Sequence, residues 1–384
     1  MQNFTFHNPT RILFGNGRIA DLPREIPVNA RVLITYGGGS VIKNGTLDEV
    51  KTALKDYCLF EFGGIEPNPT YETLMRAVEL ARREKIDFLL AVGGGSVIDG
   101  TKFISAAIPF DGDPWDILAK RAKIAEAVPL GAVLTLPATG SEMNNGAVIT
   151  RAATQDKLPF SNGKLFPRFS VLDPTKSFSL PPRQVANGVV DAFVHVIEQY
   201  LTFPAAAKVQ DRFAEGLLLT LIEDGPRALS EPDNYDVRAN LMWTATMALN
   251  GLIGAGVPND WATHMLGHEI TALHGLDHAQ TLAVVLPAML QVRRDEKRAK
   301  LLQYADRIWN LRDGDEDARI DQAIEHTRHF FESLQVRTRL SDYGISAEAI
   351  PALVAQLERH GMTALGENRS FGLDGSRQVF ELAV

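Results

Sequence analysis

Two short segments concentrate residues that bind metals. In the first, Asp191 precedes His195 by four residues, a spacing that places both side chains on one face of a helix. The second holds four of the nine histidines within fifteen residues: His264, His268, His274 and His278. Carboxylate and neutral imidazole are ligands of first-row divalent metals. Each histidine alone could simply pack or face solvent, but the repeated spacing favours one mononuclear divalent metal site. Spacing does not decide which histidines are ligands.

Composition limits what surrounds this site. A chain of 384 residues exceeds the usual size of a single core, so two domains are expected. The hydrophobic content of 45% and charged content of 22% are typical of globular proteins. A net charge of -8 argues against nucleic-acid and anionic-membrane partners. The single cysteine, Cys58, excludes an intrachain disulfide and fits a reducing cytoplasm, and the apolar runs are too short to span a bilayer. A cytoplasmic enzyme is predicted.

The first half of the chain alternates between apolar runs and helical patterns. A helix is predicted over Tyr71–Lys85, where apolar residues recur at helical spacing. Four short apolar runs have the character of strands buried on both faces of a parallel sheet: Arg31–Tyr36, Asp87–Val92, Gly131–Leu136 and Phe169–Leu172. This alternation predicts an α/β dinucleotide-binding domain over residues 1–180, with an open, mostly parallel sheet and ligands at the carboxyl ends of its strands.

The pattern changes after Leu180, where two prolines follow. No strand-like alternation is found beyond this point. Five helices are predicted there: Gln184–Leu201, Ala207–Ile222, Val237–Leu252, Trp261–His274 and Ala299–Asn310. Residues 181–384 are therefore expected to form an all-helical domain that contains the metal site.

Two Gly-Gly-Gly-Ser loops each follow a predicted strand. The first is Gly37, Gly38, Gly39 and Ser40, and the second is Gly93–Ser96, which includes Gly94, Gly95 and Ser96. Glycines let backbone N–H groups approach a phosphate, and a following helix N-terminus adds partial positive charge. Neither loop has the Rossmann fingerprint or a P-loop motif, and a tight turn without a ligand is the alternative. Two such loops in one sheet favour a dinucleotide.

The first loop also bears on the kind of dinucleotide. NAD sites commonly hold the adenine ribose with a carboxylate after an early strand. The stretch from Tyr36 to Ser40 has none, and Lys43 is nearby, which favours NADP over NAD. A third polar loop, Thr135–Glu142, ends another strand, and its hydroxyls could line a cofactor or belong to an ordinary turn.

The chain resembles the iron-type, or group III, metal-dependent alcohol dehydrogenases, and within them the NADP-dependent aldehyde reductases and butanol dehydrogenases. The resemblance covers essentially the whole chain. The segments that carry it are PTRILFG at Pro9–Gly15, EPNP at Glu66–Pro69, AVGGGSVIDGTK at Ala91–Lys102, LPATGSE at Leu136–Glu142, ANGVVDAFVHVIEQ at Ala186–Gln199, and His264–His278.

The resemblance implies a site in the cleft between the two domains. It implies one divalent metal, zinc or iron, with the ligands Asp191, His195, His264 and His278. His268 is then a non-ligand near the nicotinamide and substrate and a candidate proton relay, and His274 a loop residue. NADP(H) would contact the two glycine loops and also Asn68, Asp99, Thr135, Thr139 and Lys157. Two departures from the family pattern are Ala279, where many relatives have glycine, and Met143, where a smaller or polar residue is usual.

The implied reaction is reversible hydride transfer between NADP(H) and short aldehydes or primary alcohols, in a homodimer. Three alternatives remain open. They are a polyol or glycerol dehydrogenase, a lyase resembling dehydroquinate synthase, and a metal- or nucleotide-binding protein without catalysis. The His-Glu pair at His268 and Glu269 does not make a zinc-protease motif, because the next histidine lies two residues too late.

Overall fold

The computed structural model describes all 384 residues, which form two compact units. The α/β unit comprises residues 7–180 and 232–246, and the helical unit comprises residues 1–6, 181–231 and 247–384. The segment 232–246 therefore packs with the α/β unit, although its sequence pattern gave no sign of this. The reason is tertiary: Met242 is buried in the α/β core, and the Thr246 hydroxyl donates to Oε1 of Glu142 over 2.6 Å.

The α/β unit is built on a six-stranded, all-parallel sheet in the order β1-β8-β5-β4-β2-β3. A separate antiparallel hairpin is formed by β6 and β7. The strands are β1 Arg11–Phe14, β2 Arg31–Tyr36, β3 Cys58–Phe62, β4 Phe88–Gly94, β5 Leu130–Leu136, β6 Gly146–Arg151, β7 Asp156–Ser161 and β8 Phe169–Leu172. The predicted α/β fold with a mostly parallel sheet is confirmed.

Helices cover the sheet of the α/β unit and make up nearly all of the helical unit. The first six are α1 Leu22–Glu25, α2 Ser40–Lys43, α3 Thr46–Ala53, α4 Tyr71–Arg83, α5 Gly95–Ala107 and α6 Asp116–Ala119. The others are α7 Pro182–Tyr200, α8 Lys208–Ser230, α9 Tyr235–Ala248, α10 Ala262–His274, α11 His278–Val292, α12 Arg298–Arg307, α13 Glu316–Ser333, α14 Ile350–Arg359 and α15 Leu373–Ala383. None of these helices is long and apolar enough to cross a membrane.

Apolar layers on each face of the sheet hold the α/β unit together. Leu89 and Leu74 belong to the core that includes α4 and α5, whereas Leu90 and Val50 belong to the core that includes α3. Neighbouring residues of β4 thus point to opposite buried faces, which is why this strand is apolar throughout. The helical unit has its own core, in which Leu266 of α10 and Val285 of α11 pack with helices α14 and α15.

Candidate active site

Helix α7 contributes two of the predicted metal ligands. Asp191 and His195 lie one helical turn apart in a stretch that is buried from Val189 to Tyr200, and Nε2 of His195 lies 3.7 Å from Oδ1 of Asp191. Burial, together with the neighbouring His264, holds the pKa of His195 well below its usual range. Its imidazole is therefore neutral near pH 7, which is the form that binds metals.

Helix α10 brings a third predicted ligand to the same carboxylate. Nε2 of His264 lies 4.0 Å from Oδ1 of Asp191, and its ring stacks on that of His195 with centroids 4.7 Å apart. The other ring nitrogen of His264, Nδ1, forms a hydrogen bond with Oε2 of Glu198. Glu198 therefore determines which nitrogen of His264 faces Asp191.

His278 approaches from the first residue of α11, with its Nε2 3.6 Å from Oδ1 of Asp191. A left-handed glycine, Gly275, ends α10 at a φ of 73°. Asp277 then caps α11, and its carboxylate also accepts hydrogen bonds from Asn187 of α7 over 2.8 Å and from Arg183. The turn before His278 is thereby attached to the helix that carries Asp191.

The geometry fits a divalent metal. Metal–ligand bonds of about 2.0–2.2 Å in a tetrahedral site place neighbouring ligand atoms about 3.3–3.6 Å apart. The three Nε2 atoms lie 3.6–4.0 Å from Oδ1 of Asp191, and the ligand atoms of Asp191, His195 and His264 all lie within 4.8 Å of one another. Nε2 of His264 is buried and makes no hydrogen bond, which is costly unless it binds another group. The structure thus brings the four predicted ligands together.

The other two histidines of the segment differ in position. His268 is buried on α10, with its ring centroid 5.3 Å from that of His278 and 6.3 Å from that of His264. His274 is exposed, at the end of α10. His268 therefore lies beside two of the predicted ligands, whereas His274 is exposed to solvent.

The predicted cofactor residues of the α/β unit cluster at one edge of the sheet. β2, β4 and β5 are adjacent and parallel, so the loops that follow them share the carboxyl edge. Gly37–Ser40 follow β2, Gly94–Ser96 lie where β4 passes directly into α5, and Thr135 and Thr139 lie at the end of β5 and just after it. Such an edge is where ligands bind in open parallel sheets.

Close packing explains the glycines of the second loop. A Cβ atom at Gly95 would overlap the side chain of Thr139, and one at Gly94 would lie 2.9 Å from Cβ of Leu136. The first loop is open instead. A Cβ atom at Gly38 would meet nothing within 4 Å, and Gly39 is left-handed with a φ of 101°. The second loop is thus drawn tightly against the loop after β5, whereas the first exposes its backbone.

Asn68 and Lys157 meet although they are far apart in sequence. Nζ of Lys157 donates to Oδ1 of Asn68 over 2.9 Å. Asn68 adopts a left-handed φ of 56°, which asparagine tolerates better than most residues. The β6–β7 hairpin that carries Lys157 is joined to this segment by a hydrogen bond of 3.0 Å from the Thr150 amide to the Pro69 carbonyl. A buried cation is thereby brought to the segment predicted to contact the cofactor.

Asp99 connects two parts of the α/β unit. Its Oδ1 accepts from the Ser141 hydroxyl over 2.5 Å, and its Oδ2 accepts from the Val148 amide over 2.9 Å. Burial raises its pKa, an effect that nearby Lys102 opposes. The carboxylate therefore organises the loop after β5 and the start of the hairpin, and its predicted direct contact with a cofactor remains a prediction.

Comparison with known proteins identifies the family. A family model described as "Iron-containing alcohol dehydrogenase" matches residues 9–174, and one described as "Fe-containing alcohol dehydrogenase family, C-terminal" matches residues 185–369. The chain belongs to the iron-containing alcohol dehydrogenase family. It is a metal-dependent alcohol dehydrogenase or aldehyde reductase, as the resemblance implied.

Relatives and solved structures match along the full chain. The "NADPH-dependent aldehyde reductase YqhD" of Escherichia coli K12 is 66% identical over 100% of both chains. The "Probable NADH-dependent butanol dehydrogenase 1" of Bacillus subtilis is 40% identical over 94% of this chain and 95% of its own. A crystal structure of E. coli YqhD has a TM-score of 0.99, covering 100% of this chain and 99% of that chain at 65% identity. The NADH-dependent butanol dehydrogenase A of Thermotoga maritima has a TM-score of 0.96 at 36% identity, with the same coverage.

Ala279 and Met143, which the resemblance implied to be departures from the family pattern, lie in different surroundings. Ala279 is buried next to His278 in the first turn of α11, where its methyl group is accommodated. Met143 ends the short 3-10 turn Ser141–Met143, and its carbonyl accepts a hydrogen bond of 2.8 Å from Nδ2 of Asn8. Nothing in the structure explains why methionine is present there.

Sequence reasoning missed the residues that hold the ligands in place. Glu198 and Asp277 each contact or adjoin a predicted ligand, yet neither was singled out. For Glu198 a signal was present, because it lies three residues after His195 and seven after Asp191, on the same helical face. Asp277 precedes the last histidine of the segment, at the position where aspartate commonly caps a helix.

Proposed function

We propose that this protein reduces short aldehydes to primary alcohols with NADPH, and catalyses the reverse reaction with NADP⁺. In the reductive direction, one hydride passes from C4 of the nicotinamide to the carbonyl carbon and one proton is added to the carbonyl oxygen. The products are a primary alcohol and NADP⁺. The observation that carries this proposal is the convergence of three histidine Nε2 atoms on one aspartate oxygen in a chain with two glycine loops at the carboxyl edge of a parallel sheet.

The preference for NADPH rests on the loop after β2. No carboxylate lies between Tyr36 and Ser40 to bind a free ribose 2′-hydroxyl, so a 2′-phosphate would meet no negative charge from this loop. The relative that is 66% identical is described as NADPH-dependent, whereas the one that is 40% identical is described as NADH-dependent. The greater identity to the NADPH-dependent relative, over the whole chain, supports NADPH here.

The residues of the helical unit have separate tasks in the proposed reaction. A divalent metal, when bound, supplies Lewis acidity at the carbonyl oxygen. Asp191 provides the single negative charge among the four predicted ligands, so the site keeps a positive charge suited to an oxygen that gains electron density. His195 stays neutral because of its burial, and its imidazole therefore adds no charge that would repel a cation.

His268 is proposed as the group that relays the proton. It is buried beside His278, and imidazole is the side chain best suited to proton transfer near neutral pH. A His268→Ala enzyme should bind metal normally but lose activity and change its dependence of kcat on pH. Unchanged activity with an unchanged pH profile would remove His268 from the reaction.

The metal ligands are tested by substitution and elemental analysis. Asp191→Ala and His264→Ala should each lose both bound metal and NADPH oxidation. His274→Ala provides a matched control on the same helix, because His274 is exposed and lies outside the proposed ligand set. Full retention of metal by Asp191→Ala, or loss of metal by His274→Ala, would contradict the assignment.

The reaction and the cofactor are tested together by steady-state kinetics. Initial rates would be compared with NADPH and NADH across propanal, butanal and methylglyoxal. A kcat/KM at least tenfold higher with NADPH is expected for the better aldehydes. Equal values with the two cofactors would overturn the NADPH preference, and no turnover by metal-loaded protein would overturn the proposed reaction.

Three finer properties complete the proposal. The metal is zinc or iron, since one carboxylate and three imidazoles suit either ion, and elemental analysis of protein prepared without added metal distinguishes them. The protein acts as a homodimer, which sedimentation equilibrium would test. It acts in the cytoplasm, a location supported by its single cysteine and testable by fractionation.

A further inference from the structure

Glu198 is a buried carboxylate that contacts His264, one of the predicted metal ligands. It lies on α7 three residues after His195 and seven after Asp191, so the three side chains share one face of the helix. Its side chain is only 3% exposed. A buried carboxylate is costly unless donors surround it, so the groups that contact Glu198 indicate its role.

Three contacts join Glu198 to the chain around the start of α10. Its backbone carbonyl accepts from the Asp260 amide over 2.8 Å, and its Oε1 accepts from the Thr263 amide over 2.7 Å. Its Oε2 meets Nδ1 of His264. Glu198 therefore attaches the first turn of α10 to α7 and also orients the imidazole that this turn carries.

These contacts determine the tautomer of His264. The Thr263 amide can only donate, so Oε1 of Glu198 must be the acceptor in this hydrogen bond. Of the two nitrogens of His264, only Nδ1 faces an acceptor, Oε2 of Glu198, whereas a proton on Nε2 would be a buried donor without a partner. The lone pair is thereby left on Nε2, which is buried, lies 4.0 Å from Oδ1 of Asp191 and makes no hydrogen bond.

We propose that Glu198 is a positioning residue that holds His264 in the Nδ1–H tautomer and so sets the affinity of the metal site. The inference rests on the proposed function only in taking His264 as a metal ligand. Carboxylates that accept from a ligating histidine typically change metal affinity by about 10- to 100-fold when they are replaced.

The Glu198→Gln variant separates the tautomer from mere packing, because glutamine has nearly the same shape. Its carbonyl oxygen must accept from the Thr263 amide, which leaves the NH₂ group facing Nδ1 of His264. Nδ1 must then act as an acceptor, and the proton moves to Nε2, where it blocks coordination. The variant should bind Zn²⁺ about 10- to 100-fold more weakly than the native protein in a chelator competition.

Helix α10 offers a matched control. Glu269 on this helix forms a second buried carboxylate–histidine pair, with Oε1 2.7 Å from Nδ1 of His360, and His360 is not among the predicted ligands. Glu269→Gln should therefore leave Zn²⁺ affinity within about twofold of native. An equal loss in both variants would mean that general destabilisation of α10 lowers the affinity, which would overturn the specific role of Glu198.

The tautomer itself is measurable without metal. ¹⁵N NMR of histidine-labelled, metal-free native protein should show His264 protonated at Nδ1, with the signal assigned by its loss in His264→Ala. The Glu198→Gln protein should show protonation at Nε2. An Nε2–H tautomer in the native protein would refute the proposal even if the variant failed to fold. If the native protein showed the Nδ1–H tautomer but bound no Zn²⁺, the metal assignment of the proposed function would fail instead.

Discussion

Four buried charged side chains form a cluster near the start of α10, and removing one of them should destabilise the fold measurably. Arg293 and Lys297 meet Asp260 and Glu367, and none of the four side chains is more than 5% exposed. Nζ of Lys297 lies 2.9 Å from Oδ2 of Asp260 and 2.9 Å from Oε1 of Glu367. Glu296, which is 37% exposed, adds a further carboxylate that contacts Arg293 at 2.9 Å. The loss of Lys297 therefore leaves the buried carboxylates of Asp260 and Glu367 with Arg293 as their only remaining cation in this group.

The cost of removing Lys297 follows from these distances. With an effective dielectric constant of about 20, a contact of 2.9 Å between unit charges has a Coulomb energy of about 6 kcal/mol. The cost of removing the ammonium group from water, several kcal/mol, offsets much of the sum of two such contacts. Breaking a buried pair typically costs about 3–5 kcal/mol, and we expect Lys297→Met to lower the free energy of unfolding by that amount.

The Lys297→Met substitution should also make the protein more sensitive to acid. Burial acts to raise the pKa of Asp260, but Lys297 and Arg293 outweigh burial and lower it overall. The stability due to Asp260 is therefore present above its ordinary pKa and is lost as the pH falls through the lowered value. In Lys297→Met the pKa of Asp260 rises, so acid unfolding should begin at a higher pH.

Denaturant unfolding followed by circular dichroism would test the magnitude. Lys120→Met is the matched control, since Lys120 forms an exposed pair with Asp116 at 3.0 Å, and its stability should change by less than about 1 kcal/mol. The double variant Lys297→Met/Glu367→Gln removes one charge of each sign. Its loss of unfolding free energy should be smaller than the sum of the losses in the two single variants by at least about 1 kcal/mol. A loss no larger than that of the control, or strict additivity, would refute the reasoning.

Two further predictions concern the α/β unit. Gly95→Ala should cost about 1–3 kcal/mol of stability and weaken NADPH binding, because the added methyl group overlaps Thr139. Gly38→Ala is the control, because open space surrounds Gly38, and it should leave the denaturation midpoint unchanged. Equal midpoints for the two variants would contradict the packing argument. Lys102 is fully buried, and burial lowers its pKa from 10.5 to about 8, although nearby Asp99 opposes the shift. Between pH 8 and 10.5 the unfolded chain therefore holds a proton on Lys102 that the folded chain has lost. Stability should therefore rise with pH across this range in the native protein and rise less in Lys102→Met, which thermal unfolding at pH 7.5, 8.5 and 9.5 would show.

The sequence revealed those strands that are buried on both faces. β2, β4, β5 and β8 are continuous apolar runs, and their predicted bounds lie within two residues of the observed ones. β1 and β3 were missed because they lie at the edges of the sheet. Exposed residues such as Arg11 and Glu61 interrupt their apolar pattern, so hydropathy alone could not distinguish them from loops. The β6–β7 hairpin was missed for a similar reason, because polar residues such as Asp156 occur along it.

Other features depend on contacts between distant residues. The helical pattern of α9 was recognised, but nothing local indicates that Met242 packs in the core of the α/β unit. Likewise, the spacing of the histidines could not show that His274 is exposed while His268 is buried. Family resemblance implied that neither is a ligand, with His268 near the substrate and His274 in a loop, and the burial of His268 and exposure of His274 agree with these different positions.

Helix α7 organises the predicted metal site almost alone. One stripe of its surface carries five polar residues at intervals of four, four, four and three: Arg183, Asn187, Asp191, His195 and Glu198. The first two bind Asp277 and so fix the start of α11, the middle two are predicted ligands, and the last binds Thr263 and His264 of α10. The sites for His264 and His278 are thus held by α7 through hydrogen bonds that need no metal. Because those bonds already restrict the ligands, ion binding has less conformational entropy to overcome than in a site built from loops.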